Sequence, residues 1–598
     1  MSTTPTSRVL LSGNEAIARG AWEAGVTIAT GYPGTPSTEI LEAAREYGAD
    51  MYCEWSPNEK VAFEVAAGAS LSGARAIVTM KHVGLNVAAD PLMTLSYVGT
   101  VGGLVACVAD DPGMHSSQNE QDTRHYARFA KIPILEPSDS QEAKDFLTLG
   151  LEISERHRTP VILRMTTRVS HSSSPVAVGE RAAPSRPAGF EKKPERFVPI
   201  PLWARGMRVA VEERTAALRA AANSSQANRI EWGDRSLGII AEGIAYQYVR
   251  ELAPEASVLK IGWVWPFPDE LIREFAKGVK RLLVVEELDP ILEEHVRSLG
   301  IACEGRSLVP GIGELSPSRL APVLRAAGSA ASGLLASSPA AQRPEAADLP
   351  ARPPVLCPSC PHRGIFYALG KFDIVVTGDI GCYSLGVFPP LKRIDTILCM
   401  GAGISMAHGM QKAGEPRKVV GMVGDSTFFH SGITGLLDIA YNRGAATIIV
   451  VDNRTTAMTG HQEHPGTGRT IAGEGTIAAT VEDFGRACGI KNIATVDPYD
   501  LKATIATLRT AIESDEAWLV VSRAPCPLYT KIPVGPVHRV DEELCKKCEA
   551  CLKLGCPAIE WVEERIRVNE TLCGGCDLCA KVCPTDAFVL ASGECHDQ

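Results

Sequence analysis

Cysteine is the residue type whose spacing carries the most chemistry in this chain. Eight of the 18 cysteines fall into two runs near the C-terminus, and each run ends in Cys-Pro. In the spacing Cx2Cx2CxxxCP, three cysteines hold one iron-sulfur cluster while the fourth reaches across to another. The two predicted 4Fe-4S sites are therefore Cys545, Cys548, Cys551 with Cys583, and Cys573, Cys576, Cys579 with Cys556. Such clusters move single electrons, so we expect redox chemistry.

Zinc and disulfides are the competing interpretations of these cysteines. Paired CxxC spacings also suit tetrahedral zinc. Disulfide frameworks are typical of small secreted domains, whereas this chain has 598 residues and begins without the pattern of a signal peptide. The crossing Cys-Pro pattern favours clusters over both. Cys556 is the weakest match, because four residues rather than three precede it, and Cys595 is interpreted as a spare thiol.

Polar residues also follow two apolar segments in the C-terminal half of the chain. Predicted strand 419–423 runs into a Gly-Asp-Ser tripeptide that contains Asp425, and predicted strand 447–451 runs into an Asp-Asn pair that contains Asn453. An acidic and an amide side chain at the carboxyl ends of neighbouring parallel strands can share a hard cation such as Mg2+. The pattern predicts a cation-anchored diphosphate site.

These two segments resemble the GDG-to-NN motif of thiamine diphosphate enzymes. The resemblance implies that Asp425, Asn453 and Thr455 hold Mg2+, Thr455 through its backbone carbonyl. A serine replaces the third glycine of the motif and Asp452 replaces its first asparagine, and neither change removes an implied metal ligand. The implied cofactor contacts are Met400, Gly401, Gly424, Asp425, Ser426, Asn453 and Thr455. We assign no role to the nearby His430, His461 and His464.

Thiamine chemistry also needs a carboxylate beside the aminopyrimidine ring, and the resemblance implies that a second domain supplies it. The segment 58–69 resembles the helix that carries this carboxylate, with Glu59 at its start. We predict Glu59 as the catalytic acid and keep Glu64 as the alternative. A solvated glutamate on a helix face is the competing interpretation.

The segment Tyr-Pro-Gly-Thr-Pro that starts at Tyr32 resembles a loop of 2-oxoacid:ferredoxin oxidoreductases. In that family the threonine lies near the substrate carboxylate, so the resemblance implies substrate binding by Thr35. Lys81, His82 and Arg124 could add positive charge for the same carboxylate. A basic residue that follows a strand is otherwise simply solvated.

Four further cysteines lie apart from the C-terminal runs. Cys357 and Cys360 form a CPSC motif, Cys382 follows Asp-Ile-Gly, and Cys526 follows Ala-Pro. These positions resemble the ligands of a third 4Fe-4S cluster in the thiamine-binding part of the same family. If they do not converge, they are buried small apolar residues instead.

Composition excludes several classes of function. Hydrophobic residues make up 45% and charged residues 22% of the chain, as in ordinary globular proteins, and the net charge of -10 argues against a nucleic-acid partner. No apolar run approaches the roughly 20 residues needed to cross a bilayer. We expect a cytoplasmic protein without a membrane partner.

The alternation of apolar strands and helical segments predicts an α/β protein with parallel sheets. A stretch rich in Ala, Ser and Pro is expected to be a surface linker. The predicted regions are a first parallel-sheet domain at 1–180, a connector at 181–235, a smaller α/β domain at 236–327, the linker at 328–354, a second parallel-sheet domain at 355–536 and a two-cluster α+β module at 537–598.

In this order the regions are similar to the alpha subunits of indolepyruvate ferredoxin oxidoreductases over essentially the whole chain. The resemblance implies a pyrimidine-binding domain, a transketolase-C-like connecting domain, a diphosphate-binding domain and a ferredoxin-like module. It implies oxidative decarboxylation of arylpyruvates such as indolepyruvate and phenylpyruvate to aryl-acetyl-CoA. Thiamine diphosphate, Mg2+ and coenzyme A would take part, with ferredoxin as acceptor. A smaller beta or gamma type subunit and at least two copies of this chain are implied as partners.

The sequence leaves three alternatives to this function open. The same reaction could act on a branched-chain or other 2-oxoacid. Non-oxidative thiamine decarboxylation needs no clusters, so the cysteine runs count against it. An electron-transfer subunit without thiamine chemistry is disfavoured by Glu59 and by the pair Asp425 and Asn453.

Overall fold

The computed structural model describes residues 7–183, 190–328 and 354–591. The chain divides into two compact units, residues 1–348 and 349–598, which we describe separately. All but the two end residues of the predicted linker at 328–354 lie outside the described residues, as does Cys595. No helix within the described ranges has the length and apolar character of a membrane span.

A seven-stranded sheet forms the centre of the first part of unit 1. The strands in spatial order are Trp263–Trp265, Ile134–Leu135, Val161–Thr166, Leu104–Asp110, Ala76–Lys81, Ile28–Gly31 and Tyr52–Trp55. All neighbouring strands are parallel except the first pair. The central strands are buried along their whole length, as expected for a parallel sheet covered on both faces.

Helices cover this sheet, and an antiparallel pair of strands, Arg8–Ser12 and Ser173–Ala177, adds a small second sheet. Glu59–Leu71 begins where the Asn58 side chain accepts a hydrogen bond from the Val61 N–H at 2.9 Å, an N-cap that satisfies one free helix donor. The other helices are Gly13–Glu23, Thr38–Arg45, His82–Val87, Ala89–Val98, Arg124–Ala130, Ser140–His157 and Thr167–His171, with a short 3-10 helix at Gly48–Asp50.

The second part of unit 1 is a smaller α/β domain. Its sheet has the order Arg281–Val285, Asp234–Glu242, Ala256–Ile261 and Arg229–Glu231, of which only the last strand is antiparallel. Its helices are Gly243–Leu252, Asp269–Lys277, Ile291–Ser298 and Pro317–Ala326. Helices Pro194–Phe197 and Pro201–Ser224 precede it in the region predicted as a connector.

Unit 2 is built around a six-stranded sheet that is parallel throughout. The strand order is Thr396–Ile397, Ile374–Gly378, Lys418–Gly424, Thr447–Asp452, Trp518–Arg523 and Asn492–Val496. Its α-helices are His362–Leu369, Ala402–Lys412, Asp425–Thr427, Ile433–Tyr441, Val481–Ala487, Leu501–Glu513 and Pro527–Thr530. Short turns of 3-10 helix occupy Cys382–Val387 and Ala457–Thr459, and a π-helical turn occupies Phe428–Gly432.

The C-terminal part of unit 2 is a small α+β module. Two antiparallel ribbons, His538–Val540 with Phe588–Leu590 and Ile559–Val562 with Arg565–Val568, frame the cysteine runs. A 3-10 turn at Ala550–Leu554 and the helix Leu578–Val582 carry part of each run. The predicted fold class, parallel α/β domains followed by a ferredoxin-like α+β module, is confirmed.

Candidate active site and cluster-binding residues

Asp425 lies at the carboxyl end of a central strand of the unit 2 sheet. It follows Lys418–Gly424 directly and is only 4% exposed. Its Oδ1 accepts a hydrogen bond from the Ser426 N–H at 2.8 Å, and its Oδ2 accepts one from the Arg454 N–H at 2.8 Å. These bonds leave lone pairs on both carboxylate oxygens, so Asp425 is fixed in orientation and still able to bind a cation.

Asn453 and Thr455 follow the neighbouring strand, whose register pairs Val451 with Gly424. The Thr455 N–H donates to Asn453 Oδ1 at 3.3 Å. Thr455 is buried, and its hydroxyl has no hydrogen-bond partner among the described residues. A carboxylate, an amide oxygen and backbone carbonyls at one sheet edge are the oxygen ligands that a hard cation prefers, so these residues fit a Mg2+ site.

His464 approaches Asp425 from a later loop. The Gly466 N–H donates to His464 Nδ1 at 3.1 Å, and this bond leaves the ring proton on Nε2. Nε2 lies 3.2 Å from Asp425 Oδ2. Burial raises the pKa of Asp425, but the neighbouring His464 and the hydrogen bonds to the carboxylate together lower that pKa overall. The carboxylate is therefore kept ionised in an almost dry environment.

The Met400–Gly401 turn is held by side chains of the same sheet edge. The Gly401 N–H donates to Asp379 Oδ2 at 2.6 Å, and the Ser431 hydroxyl donates to the Met400 carbonyl at 3.0 Å. Gly401 has a φ of 85°, which favours glycine. The Gly401 N–H, which belongs to a predicted cofactor contact, is thus occupied by Asp379. Burial raises the pKa of Asp379 well above its usual range.

Cys357, Cys360, Cys382 and Cys526 come together in unit 2. Burial, together with the neighbouring sulfurs of Cys357 and Cys526, raises the pKa of the Cys382 thiol to about 11. Burial also raises the pKa of Cys360, and the nearby Cys382 and Cys357 add to that effect. The Cys526 N–H donates to the Asn453 carbonyl at 3.0 Å. This bond ties the cysteine group directly to the loop with the candidate cation ligands.

The two C-terminal cysteine runs lie close together in the small α+β module. Cys556, from the first run, lines one cavity with Cys573, Cys576 and Cys579. Cys545 and Cys583 pack against the apolar cluster that contains Cys551. Burial raises the pKa of Cys583, but the N–H groups of Thr585 and Ala587 outweigh it and lower that pKa.

None of the described residues form a group of three or more His, Cys, Asp or Glu side chains close enough to hold a single metal ion. A four-iron cube binds each cysteine to a different iron, so its ligands stand further apart than those around one ion. Cys556, Cys573, Cys576 and Cys579 line one cavity, and this grouping together with the Cys-Pro spacing fits a four-iron cluster.

Glu59 is 6% exposed at the first position of its helix in unit 1. It packs against Gly84, because a Cβ built on Gly84 would lie 2.5 Å from Glu59 Oε1. The alternative, Glu64, is exposed and forms an ion pair with Lys60. This placement favours Glu59 as the functional carboxylate, since a buried acid is the one whose proton the protein can control.

Thr35, Lys81 and His82 lie near each other in unit 1. The Ser116 hydroxyl donates to the Thr35 carbonyl at 3.2 Å, and Lys81 Nζ donates to the Ser116 carbonyl at 2.7 Å. Burial lowers the pKa of Lys81 to about 8 and also lowers the pKa of His82. At neutral pH the group therefore presents one ammonium and a neutral imidazole.

Arg124 requires a correction, because it does not form part of this group of polar residues. Its guanidinium is 1% exposed and pairs with Asp122, Glu242 and Glu286. It also donates to the carbonyls of Glu287 and Asp289 at 2.8 Å. With all its donors used by the protein, Arg124 joins the two α/β domains of unit 1 and is not expected to bind substrate.

Sequence reasoning missed His362, Asp379 and the role of His464. His362 follows Cys360 by two residues and is 3% exposed. Burial lowers its pKa to about 4, and the nearby Asp425 opposes that effect. The position of His362 just after a cysteine motif was the available signal, but only the fold brings that motif next to the Asp425 strand.

Comparisons with known proteins agree with this arrangement. Residues 19–227 match the family of pyruvate flavodoxin/ferredoxin oxidoreductase thiamine diphosphate-binding domains. Residues 379–522 match the C-terminal TPP binding domain of thiamine pyrophosphate enzymes, and residues 566–589 match the 4Fe-4S binding domain. The chain therefore contains thiamine diphosphate-binding and 4Fe-4S-binding domains.

Curated relatives extend the similarity to nearly the full length. The indolepyruvate oxidoreductase subunit IorA of Methanothermobacter marburgensis is 42% identical, with 97% of each chain covered. The subunit of the same name from Pyrococcus abyssi is 43% identical, with 98% of this chain and 97% of the relative covered. The 2-oxoglutarate synthase subunit KorA of Methanothermobacter thermautotrophicus is 26% identical over 47% of this chain. This chain belongs to the IorA family of indolepyruvate oxidoreductase subunits, within the thiamine diphosphate-dependent 2-oxoacid:ferredoxin oxidoreductases.

Proposed function

We propose that this chain, with a smaller partner subunit, catalyses oxidative decarboxylation of arylpyruvates to aryl-acetyl-CoA and passes the electrons to ferredoxin. The observation that carries the proposal is the hydrogen bond from the Cys526 N–H to the Asn453 carbonyl at 3.0 Å. It joins a candidate cluster ligand to a candidate cation ligand. A thiamine enzyme that does not oxidise its substrate has no need of cysteines at that position.

The proposal assigns four tasks to the chain's residues, namely cation binding, proton transfer, substrate binding and electron transfer. Asp425, Asn453 and the carbonyl of Thr455 would hold Mg2+ on the diphosphate. When bound, thiamine diphosphate supplies the nucleophilic carbon and the electron sink for decarboxylation. Glu59 would hold and move the proton of the aminopyrimidine ring, since it is a buried carboxylate at a helix start.

Substrate binding is assigned to the polar group of unit 1. The Lys81 ammonium and the Thr35 side chain would bind the 2-oxoacid carboxylate, with His82 as a neutral hydrogen-bonding group. A charge-assisted bond from an ammonium to a carboxylate is about twice as strong as a neutral hydrogen bond. The aryl preference is proposed from the relatives, which are named indolepyruvate oxidoreductase subunits.

Electron transfer is assigned to three 4Fe-4S clusters. The group of Cys357, Cys360, Cys382 and Cys526 would accept electrons first, because Cys526 contacts the cation loop. The two C-terminal groups would then carry them to ferredoxin. Coenzyme A as co-substrate, and an assembly with at least two copies of this chain, complete the proposal.

The test is an anaerobic assay of the chain with its partner subunit. Rates with indolepyruvate, phenylpyruvate, pyruvate and 2-oxoisovalerate are compared in the presence of coenzyme A and a viologen dye. We expect the two arylpyruvates to give the highest kcat/KM. Activity with pyruvate alone, or equal rates with all four, would refute the aryl assignment, and a preparation without iron would refute the redox assignment.

A further inference from the structure

Arg363 lies between two of the cysteine groups in unit 2 and is 1% exposed. Its Nη1 donates to the Leu554 carbonyl at 2.9 Å and to the Gly555 carbonyl, just before Cys556. Its Nη2 and Nε donate to the Cys357 carbonyl at 3.1 and 3.2 Å, and Nη2 also donates to the Leu356 carbonyl. One guanidinium therefore joins the first cysteine of one group to the loop of another.

The charge of Arg363 has no carboxylate partner among the described residues, which distinguishes it from the other large buried arginines. Arg124 pairs with Asp122, Glu242 and Glu286. Arg164 pairs with Asp110 and Glu136, each at 2.6 Å. Carbonyl groups satisfy the donors of Arg363 but carry no net charge. Buried charges in proteins are normally matched by an opposite charge, because removing an isolated ion from water is costly.

The cavity that Arg363 lines is the position where a negative counter-charge could lie. Arg363 lines the same cavity as Cys556, Cys573, Cys576 and Cys579. Ser359, from the CPSC loop, also lines that cavity, and its carbonyl accepts a hydrogen bond from the Tyr499 hydroxyl at 2.6 Å. A 4Fe-4S cluster with four thiolate ligands carries a net negative charge, so a cluster in this cavity would provide the counter-charge.

We propose that Arg363 is the counter-cation of the cluster held by Cys556, Cys573, Cys576 and Cys579, and that it links this cluster to the Cys357 group. The inference rests on the proposed function, since it requires that the clusters are present. Reduction adds one negative charge to the cluster, and a fixed positive charge nearby stabilises that form. Arg363 therefore raises the reduction potential of this cluster and favours electron flow into it.

The test uses the assembled, cluster-loaded protein with two substitutions, Arg363→Met and Arg363→Lys. Methionine removes the charge and keeps much of the volume, whereas lysine keeps the charge and loses most of the carbonyl bonds. Iron per chain is measured first. Midpoint potentials then come from redox titration monitored by electron paramagnetic resonance, following the signal that Cys576→Ser abolishes.

The expected result is a shift of that midpoint to more negative potential in Arg363→Met and a wild-type midpoint in Arg363→Lys. Loss of this cluster's iron in the methionine variant alone would support the proposal equally, because it shows that the charge is required. An unchanged midpoint in both variants, an equal shift in both, or loss of iron from both would overturn it. Wild-type protein without iron would instead refute the proposed function.

Discussion

The contact between Gly84 and Glu59 gives a direct test of the proposed catalytic carboxylate. A Cβ at position 84 would lie 2.5 Å from Glu59 Oε1 and 2.7 Å from its Cγ. Ordinary contacts begin near 3.4 Å, so Gly84→Ala must displace the carboxylate by roughly 0.9 Å. A misplacement of about 1 Å at a reacting group can lower the rate by about a hundredfold, or about 2.7 kcal/mol in the barrier.

The assay for this prediction separates catalysis from folding. We expect kcat with indolepyruvate to fall about a hundredfold in Gly84→Ala, while the melting temperature and the visible cluster absorbance change little because a side chain can move aside. Gly68→Ala is the matched control in the helix that Glu59 begins, since its added Cβ would meet no described atom within 4 Å apart from its chain neighbours and the local helix backbone. Full activity in Gly84→Ala would refute the role assigned to Glu59.

Three further predictions concern the other charged residues of unit 1. Glu59→Gln should lower kcat by a factor of about 10² to 10⁴, as for other proton-transfer groups, and should retain the cluster absorbance. Glu64→Gln should keep near-wild-type activity, because the Glu64 side chain is exposed. Arg124→Met should lower the free energy of unfolding by about 3–5 kcal/mol, because it leaves buried carboxylates without a partner. Arg168→Met, which removes a half-exposed ion pair, should lower the free energy of unfolding by less than about 1 kcal/mol in thermal or denaturant unfolding. Lys81 is cationic below its pKa of about 8, so KM for the 2-oxoacid should rise above pH 8 in the wild type and show no such rise in Lys81→Met.

The sequence predicted the helices and strands well, because parallel strands and amphipathic helices have strong local patterns. The helix expected in segment 58–69 begins at Glu59, as predicted. The predicted strand 419–423 is extended by a residue at each end. Trp263–Trp265 was not predicted, because its antiparallel partner Ile134–Leu135 lies far away in the sequence and nothing local indicates such a pairing.

Side-chain partners were harder to predict than elements. Arg124 was interpreted as a free positive charge, although three carboxylates from distant segments surround it. Charge alone does not reveal whether a basic residue faces a ligand or a buried acid. Cys556 was the weakest match by spacing, yet it lines the cavity that also contains Cys573, Cys576 and Cys579, and the 3-10 turn Ala550–Leu554 precedes it.

The order of strands in unit 2 brings the candidate cysteine group and the candidate cation ligands to one edge of the sheet. Four adjacent parallel strands end at the same edge of the sheet, namely Ile374–Gly378, Lys418–Gly424, Thr447–Asp452 and Trp518–Arg523. The residues just beyond them supply Cys382, Asp425, Asn453 and Cys526 in that order. Ligands of α/β proteins bind at the carboxyl ends of such strands. Because each of these residues follows its own strand by at most four positions, the sheet rather than a flexible loop sets the separation between the candidate cation ligands and the cysteines. A rigid separation suits electron transfer, whose rate depends on distance, and it accounts for a cysteine group built into a thiamine-binding domain.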